Sequence, residues 1–251
     1  MDARSEPAVR LAATRAIRLA HPKAREMATP SRSNDIRLLM LPPIARLFDQ
    51  GRKVRLDTGQ ILFLAGDPGD GCYRVDEGLL KVHVFSQSGS ERVLAILGER
   101  TIVGELSMFD EAPRSAAVCA IRPSKLSFAT RAAFNDTLDG HPEVYREFAL
   151  VLAGRLREID DAMAATSFLS LKGRAARVLL ALADAFGQDV GNGRIVIRQR
   201  VSQSDIAAMA GIVRESFSRV LHDWLGRSLV SRFAGYYCLE NKSALERECE
   251  L

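Results

Sequence analysis

The chain is short of the residues that metal and disulfide chemistry need. Its 251 residues include four cysteines and four histidines. Cys72, Cys119, Cys238 and Cys249 show neither a CxxC nor a Cys/His spacing, which argues against a zinc or disulfide framework and for free thiols. His21, His83, His141 and His222 stand apart from cysteines and carboxylates at ligand spacing, and His83 reads as a strand packing residue, so no metal is expected. A Walker loop, a nucleophile elbow and H-E-x-x-H are all missing. With no catalytic constellation, the chain does not read as an enzyme. No apolar run approaches the ~20 residues a bilayer span requires. The first residues lack the apolar core of a secretory signal, so no membrane partner and a cytoplasmic location are expected. Aromatics make up only 6%, and the one tryptophan, Trp224, is expected in a core. The excess of one sign of charge over the other is small, with 35 Lys and Arg against 31 Asp and Glu. A net +4 permits contact with nucleic acid without demanding it.

What the chain does have is a distinctive stretch at 202–221, SQSDIAAMAGIVRESFSRVL. Ser202 and Asp205 have the S-x-x-D spacing that starts a helix. Ile206, Met209 and Ala210 share one apolar face, and Gly211 supplies the left-handed cap. A second helix opens at Arg214. Its apolar face carries Phe217, Val220 and Leu221, while Arg214, Glu215, Ser218 and Arg219 lie elsewhere. Such a helix suits a DNA major groove, and it also suits an ordinary helical hairpin with a solvated charged face.

Upstream the pattern is different. From Val54 to Phe85, short β-rich runs are punctuated by Gly59, Gly66, Gly69, Gly71 and Gly78, as in an antiparallel barrel. Strands are expected over 91–97, 117–121 and 125–129. From Pro142 the period switches to 3.6. Tyr145, Phe148, Leu152, Ile159 and Thr166 trace a stripe with near-heptad spacing, interrupted by Arg155 and flanked by Leu156 and Met163. A helix from Pro142 to Thr166 would run about 37 Å and calls for a partner helix, most simply that of a second subunit.

The stretch 201–230, VSQSDIAAMAGIVRESFSRVLHDWLGRSLV, resembles the winged helix-turn-helix of the Crp–Fnr transcription regulators. Arg214, Glu215 and Arg219 match the R-E-x-x-x-R of their second helix. The resemblance implies that these three read base edges and that Ser216 and Ser202 touch phosphates. The family's serine or threonine before that arginine is Val213 here, which offers no side-chain cap. Residues 104–116, GELSMFDEAPRSA, resemble the phosphate-binding cassette of cyclic-nucleotide domains. Glu105 would take the ribose hydroxyl, Arg114 the cyclic phosphate, and the amides near Leu106 and Ser115 would assist. Gly104 would let the backbone approach the ligand. Counting along the long helix, Ile159 and Asp160 would face the base. Ile159 cannot bond an adenine amino group, and Asp160 could accept from guanine. The glycine usual before the cassette is Arg100. Some family members carry an iron–sulfur cluster on N-terminal cysteines, which this chain lacks before Cys72.

The expected fold class is α+β. It comprises a mobile tail over 1–33, a cyclic-nucleotide-binding-like β-roll over 34–141, a dimerisation helix over 142–167 and a winged helix-turn-helix over 168–251. The expected function is a homodimeric DNA-binding transcription regulator switched by cAMP or cGMP. Its implied partners are a palindromic promoter site and RNA polymerase. Two other readings stand beside it. One is a regulator that binds DNA without a nucleotide, with Glu105 and Arg114 forming a salt bridge in a relic cassette. The other is a cyclic-nucleotide-sensing module of a partner enzyme.

Overall fold

The computed structural model describes residues 38–249; the tail expected over 1–33 lies outside the described residues. After a short helix α1 (Pro42–Asp49), started by Pro42 in its first turn, the chain enters an all-antiparallel sheet. Strands β1 (Arg52–Leu56), β2 (Ile61–Phe63), β3 (Gly71–Phe85), β4 (Glu91–Leu97), β5 (Ile102–Val103) and β6 (Ala117–Thr130) build it. The main order is β1-β6-β3-β4, with β2 on β6 and β5 on β3. The two strands expected at 117–121 and 125–129 are one continuous β6. Its bend over Arg122–Ser124 is absorbed by register shifts opposite Glu77–Leu80.

Two cores hold this unit. Leu56, Val75, Leu80, Val118 and Leu126 fill the roll itself. Ile44, Phe48, Cys72, Met108, Phe134, Phe148 and Val151 form a second core beneath the helices that cover it. Three of those helices are α2 (Leu106–Asp110), α3 (Arg131–Gly140) and the long α4 (Glu143–Phe168). Phe109, Phe134 and Phe148 meet edge to face at 5.2–5.5 Å, which ties α2, α3 and α4 together.

The expected stripe on α4 therefore divides. Val144, Phe148 and Val151 are buried against their own roll, whereas Tyr145, Leu156, Ile159, Met163 and Phe168 are exposed. The first half of α4 serves the roll's core, and the second half carries an apolar edge facing outward.

The C-terminal unit comprises α5 (Leu171–Phe186), β7 (Gly187–Asp189), β8 (Ile195–Ile197), α6 (Gln203–Ala210), α7 (Arg214–Gly226), β9 (Val230–Phe233), β10 (Tyr236–Leu239) and α8 (Lys242–Glu248). Its core centres on Trp224, Phe217, Tyr237, Leu179 and Ile206, with Trp224 fully buried. Ser170 caps α5 through the Gly173 amide, and Ser202 caps α6 through the Asp205 amide at 3.0 Å. Gly211 closes α6 at φ 64°, where a side chain would also strike Arg92.

The two units touch. Lys81 of β3 reaches Asp205 of α6 at 3.0 Å and Glu91 of β4 at 2.8 Å, and Arg122 donates to Gln199 at 2.5 Å. Burial works against the Lys81 charge, but hydrogen bonds to Glu91 and Asp205 outweigh it and hold its pKa above the ordinary lysine value. His83 Nδ1 lies 2.7 Å from Glu91, and burial lowers the imidazole pKa despite that carboxylate.

Arg100 sits in the β4–β5 turn at φ 62°, in the left-handed region where the family's glycine would be unstrained. A non-glycine residue there costs about 1–2 kcal/mol, against roughly 0.5–1 kcal/mol of extra chain entropy for glycine. Arg100→Gly is therefore expected to stabilise the β-roll by roughly 0.5–1 kcal/mol in urea unfolding; an unchanged or lower midpoint would count against strain at this turn.

Candidate functional site

The cassette is built on a turn that only glycine fits. Gly104 has φ 82°, and a Cβ there would lie 2.6 Å from Arg114 Nη1. The close approach lets the Gly104 carbonyl accept from Nη1 at 2.8 Å. Arg114 Nη2 donates to the Gly71 carbonyl at 2.7 Å and to Asp70 at 3.0 Å. The guanidinium also lies over the Phe63 ring, 4.5 Å from its centroid. Its side chain is only 2% exposed, and its Nε is a buried donor with no partner. A buried unpaired donor is costly, and an anion on the Nε edge would relieve that cost.

Glu105 is equally buried. Its Oε1 accepts from Arg155 of α4, and Arg155 also donates to the Ile102 carbonyl at 2.7 Å. Among the described residues no donor reaches Oε2. The Glu105–Arg114 salt bridge of the relic-cassette alternative does not form: Glu105 pairs with Arg155, and Arg114 with Asp70. The Leu106 and Ser115 amides donate to no backbone acceptor among the described residues, and both residues are exposed. Cys72 lies beneath this group. Burial, reinforced by Glu105 and opposed by Arg114, pushes its thiol pKa far above the usual range and makes it unreactive.

Gly104, Glu105, Leu106, Arg114 and Ser115 therefore stand together. Ile159 and Asp160 do not join them: both are exposed, one turn of α4 beyond Arg155. Sequence reasoning missed Arg155, which looked like an interruption in an apolar stripe. A lone arginine among apolar positions was itself the signal for a buried carboxylate partner.

On the second surface, Arg214, Glu215, Ser218 and Arg219 line one depression of about 330 Å³ together with Gln203 of the preceding helix. Ser202 is exposed, but its hydroxyl is engaged with the Asp205 carboxylate at 2.6 Å as well as its amide. Ser216 departs from its expected phosphate role. It is 9% exposed, and its Oγ accepts from Arg219 at 3.2 Å, because its position falls on the inner face beside Phe217. Val213 occupies the N-cap of α7 with no side-chain bond.

These features define a class: a sensory β-roll joined through a long helix to a winged helix-turn-helix. Comparison with known proteins agrees. Residues 53–141 match the cyclic nucleotide-binding domain and residues 173–248 the Crp-like helix-turn-helix domain. A CRP-like cAMP-activated global transcriptional regulator of Mycobacterium tuberculosis is 32% identical over 207 residues, 82% of this chain and 89% of the relative. The cyclic AMP receptor protein of Thermus thermophilus is 33% identical over 177 residues, 70% and 74% of the two chains. The structure of FixK2 from Bradyrhizobium japonicum shares the fold, with TM-score 0.72 at 18% identity over 80% of this chain and 98% of that one. The chain belongs to the Crp–Fnr family of transcription regulators and carries its cyclic-nucleotide-binding and DNA-binding domains.

Two measurements probe this geometry. Arg155→Ala leaves Glu105 buried without its counter-charge and is expected to destabilise the β-roll by about 3 kcal/mol. The same change in a Glu105→Gln background should cost clearly less, and equal costs in a double-mutant cycle would show the pair to be uncoupled. Val213→Thr supplies the missing cap and should stabilise the C-terminal domain by about 1 kcal/mol; a loss of stability on thermal unfolding would refute the uncapped reading of α7.

Proposed function

We propose that this regulator acts as a homodimer in the cytoplasm and binds a cyclic nucleotide, cAMP or cGMP, to control its grip on a palindromic promoter site, with RNA polymerase as its downstream partner. The observation that carries this reading is the buried, unpartnered Nε of Arg114 at the centre of an otherwise complete cassette. The cyclic phosphate would occupy the Nε edge with the Ser115 amide, and the ribose hydroxyl would bond Oε2 of Glu105. The name of the Mycobacterium tuberculosis relative, a cAMP-activated regulator, favours the same class of effector. For the base, Ile159 offers no hydrogen bond, and Asp160 would accept from guanine. The outward apolar edge of Leu156, Ile159 and Met163 would form the dimer seam. Two α7 helices presented about 34 Å apart by such a dimer would match half-sites one helical turn apart. Arg214, Glu215 and Arg219 would read the bases.

One observation favours a second reading, in which DNA is bound without a nucleotide. The remaining donors of Arg114 are already satisfied by Gly104, Gly71 and Asp70, so the cassette holds together unaided.

Isothermal titration of the purified protein with cAMP and with cGMP separates the two. Binding of one nucleotide is expected, and Arg114→Ala should weaken it about 100-fold, the equivalent of about 2.7 kcal/mol. Footprinting on promoter DNA should show protection gained with that nucleotide. Silence toward both nucleotides, with equal protection in every lane, would leave only the nucleotide-free reading.

A further inference from the structure

We propose that Phe233, at the tip of the β9–β10 hairpin, enters the minor groove beside the half-site as an apolar wedge between base steps. This rests on the DNA-binding assignment and adds a contact that the helix-turn-helix does not supply.

Phe233 is 85% exposed, more than any other large apolar side chain among the described residues. It stands at the tip of the wing, immediately before a two-residue turn. Ala234 at φ 49° and Gly235 at φ 87° close that turn with the left-handed backbone typical of a tight hairpin. Phe233 and Tyr236 are register partners, so their side chains share one face of the hairpin.

Cations surround this aromatic tip. The Arg200 guanidinium lies over the Tyr236 ring at 4.9 Å, with its aliphatic stem against Gly235, and that of Arg232 lies over Tyr237 at 5.4 Å. Among the described residues no carboxylate is within ion-pair distance of Arg200 or Arg232, nor of Arg214 or Arg219 on α7. The uncompensated charge thus runs from the base-reading helix onto the wing, and duplex phosphates complement it. An exposed phenylalanine between phosphate-seeking arginines fits the side-chain type that slides between base steps and widens the minor groove. The stacking of Arg200 and Arg232 on tyrosines fixes their heads on either side of the tip, where backbone phosphates would lie.

The test uses the full-length protein and a duplex selected by it from a random pool, with 2-aminopurine placed at flanking minor-groove steps. Wild-type binding is expected to raise the fluorescence of one flanking step, the sign of unstacking. Phe233→Ala should abolish that rise and weaken binding about tenfold without changing the salt slope, since no phosphate contact is lost. Phe233→Trp should keep both signals. Arg200→Gln and Arg232→Gln should each lower the salt slope by about one. Because Phe233 is exposed, its variants should fold normally, which circular dichroism checks. Equal affinity and equal fluorescence for Phe233→Ala and wild type would overturn the proposal. So would a defect that emerges only when RNA polymerase is added, which would assign the tip to a protein partner. If wild type selects no duplex at all, the underlying DNA-binding assignment fails instead.

Discussion

The ion pair between Glu105 and Arg155 is the constraint on which the rest of the molecule turns. It joins the tip of the cassette to the long helix across 50 residues of chain, and it is buried at the carboxylate end. Two charges taken out of water are stable only when each finds a partner, so neither can move without the other. Arg155 also holds the Ile102 carbonyl, whose residue belongs to the core shared by α1, α3 and α4. Any group that binds Glu105 therefore acts on the axis of α4. That helix continues from Arg155 to Phe168, only two residues short of α5. On the proposed reading, a displacement at the cassette would have a short route to the DNA-binding domain along one continuous helix rather than a flexible linker.

A second link closes the circuit from the other side. Asp205 serves the start of α6, where its amide meets Ser202, and its carboxylate meets Lys81 of the β-roll. One residue thus fixes the entry of the helix-turn-helix and its docking on the sensory domain. Lys81 stays charged because two carboxylates face it, and removing either would leave a half-buried ammonium with less compensation. Arg214, Glu215 and Arg219, the proposed base-reading residues, are exposed while this contact is made. Docking through α6 constrains where α7 points without covering it.

How much of this was legible in the sequence follows from the range of each interaction. Local chemistry was readable: the cap at Ser202, the left-handed Gly211 and the uncapped Val213 all follow from residues within a few positions. The R-E-x-x-x-R and G-E-L-x(6)-P-R-S-A spacings pointed to the two domains for the same reason. Short elements escaped: α2, α3, α8 and β7 are too brief for periodicity to declare them. Pairings between distant residues were hidden altogether. Glu105 with Arg155, Arg114 with Asp70 and Lys81 with Asp205 join positions 44 to 124 residues apart. Sequence chemistry singled out Glu105 and Arg114 as ligand groups, with a salt bridge between them as the alternative, but nothing local pointed to Arg155 or Asp70 as their partners.

Arg114 shows why the identity of a side chain matters beyond its charge. Two of its nitrogens already clip the Gly104 and Gly71 carbonyls, and its flat face rests on Phe63. A lysine has one ammonium head and could not satisfy two separated carbonyls while stacking on a ring. The guanidinium is thus a structural clip that keeps one edge in reserve. Asp70 sets the terms on which that edge is used. Its carboxylate is largely exposed and takes part of the positive charge at Nη2, so an incoming anion competes with it rather than meeting a bare cation. Affinity at this site is then the difference between a buried contact at Nε and a weakened one at Nη2. On the proposed reading, a pocket built this way would hold its shape when empty and still favour an anion.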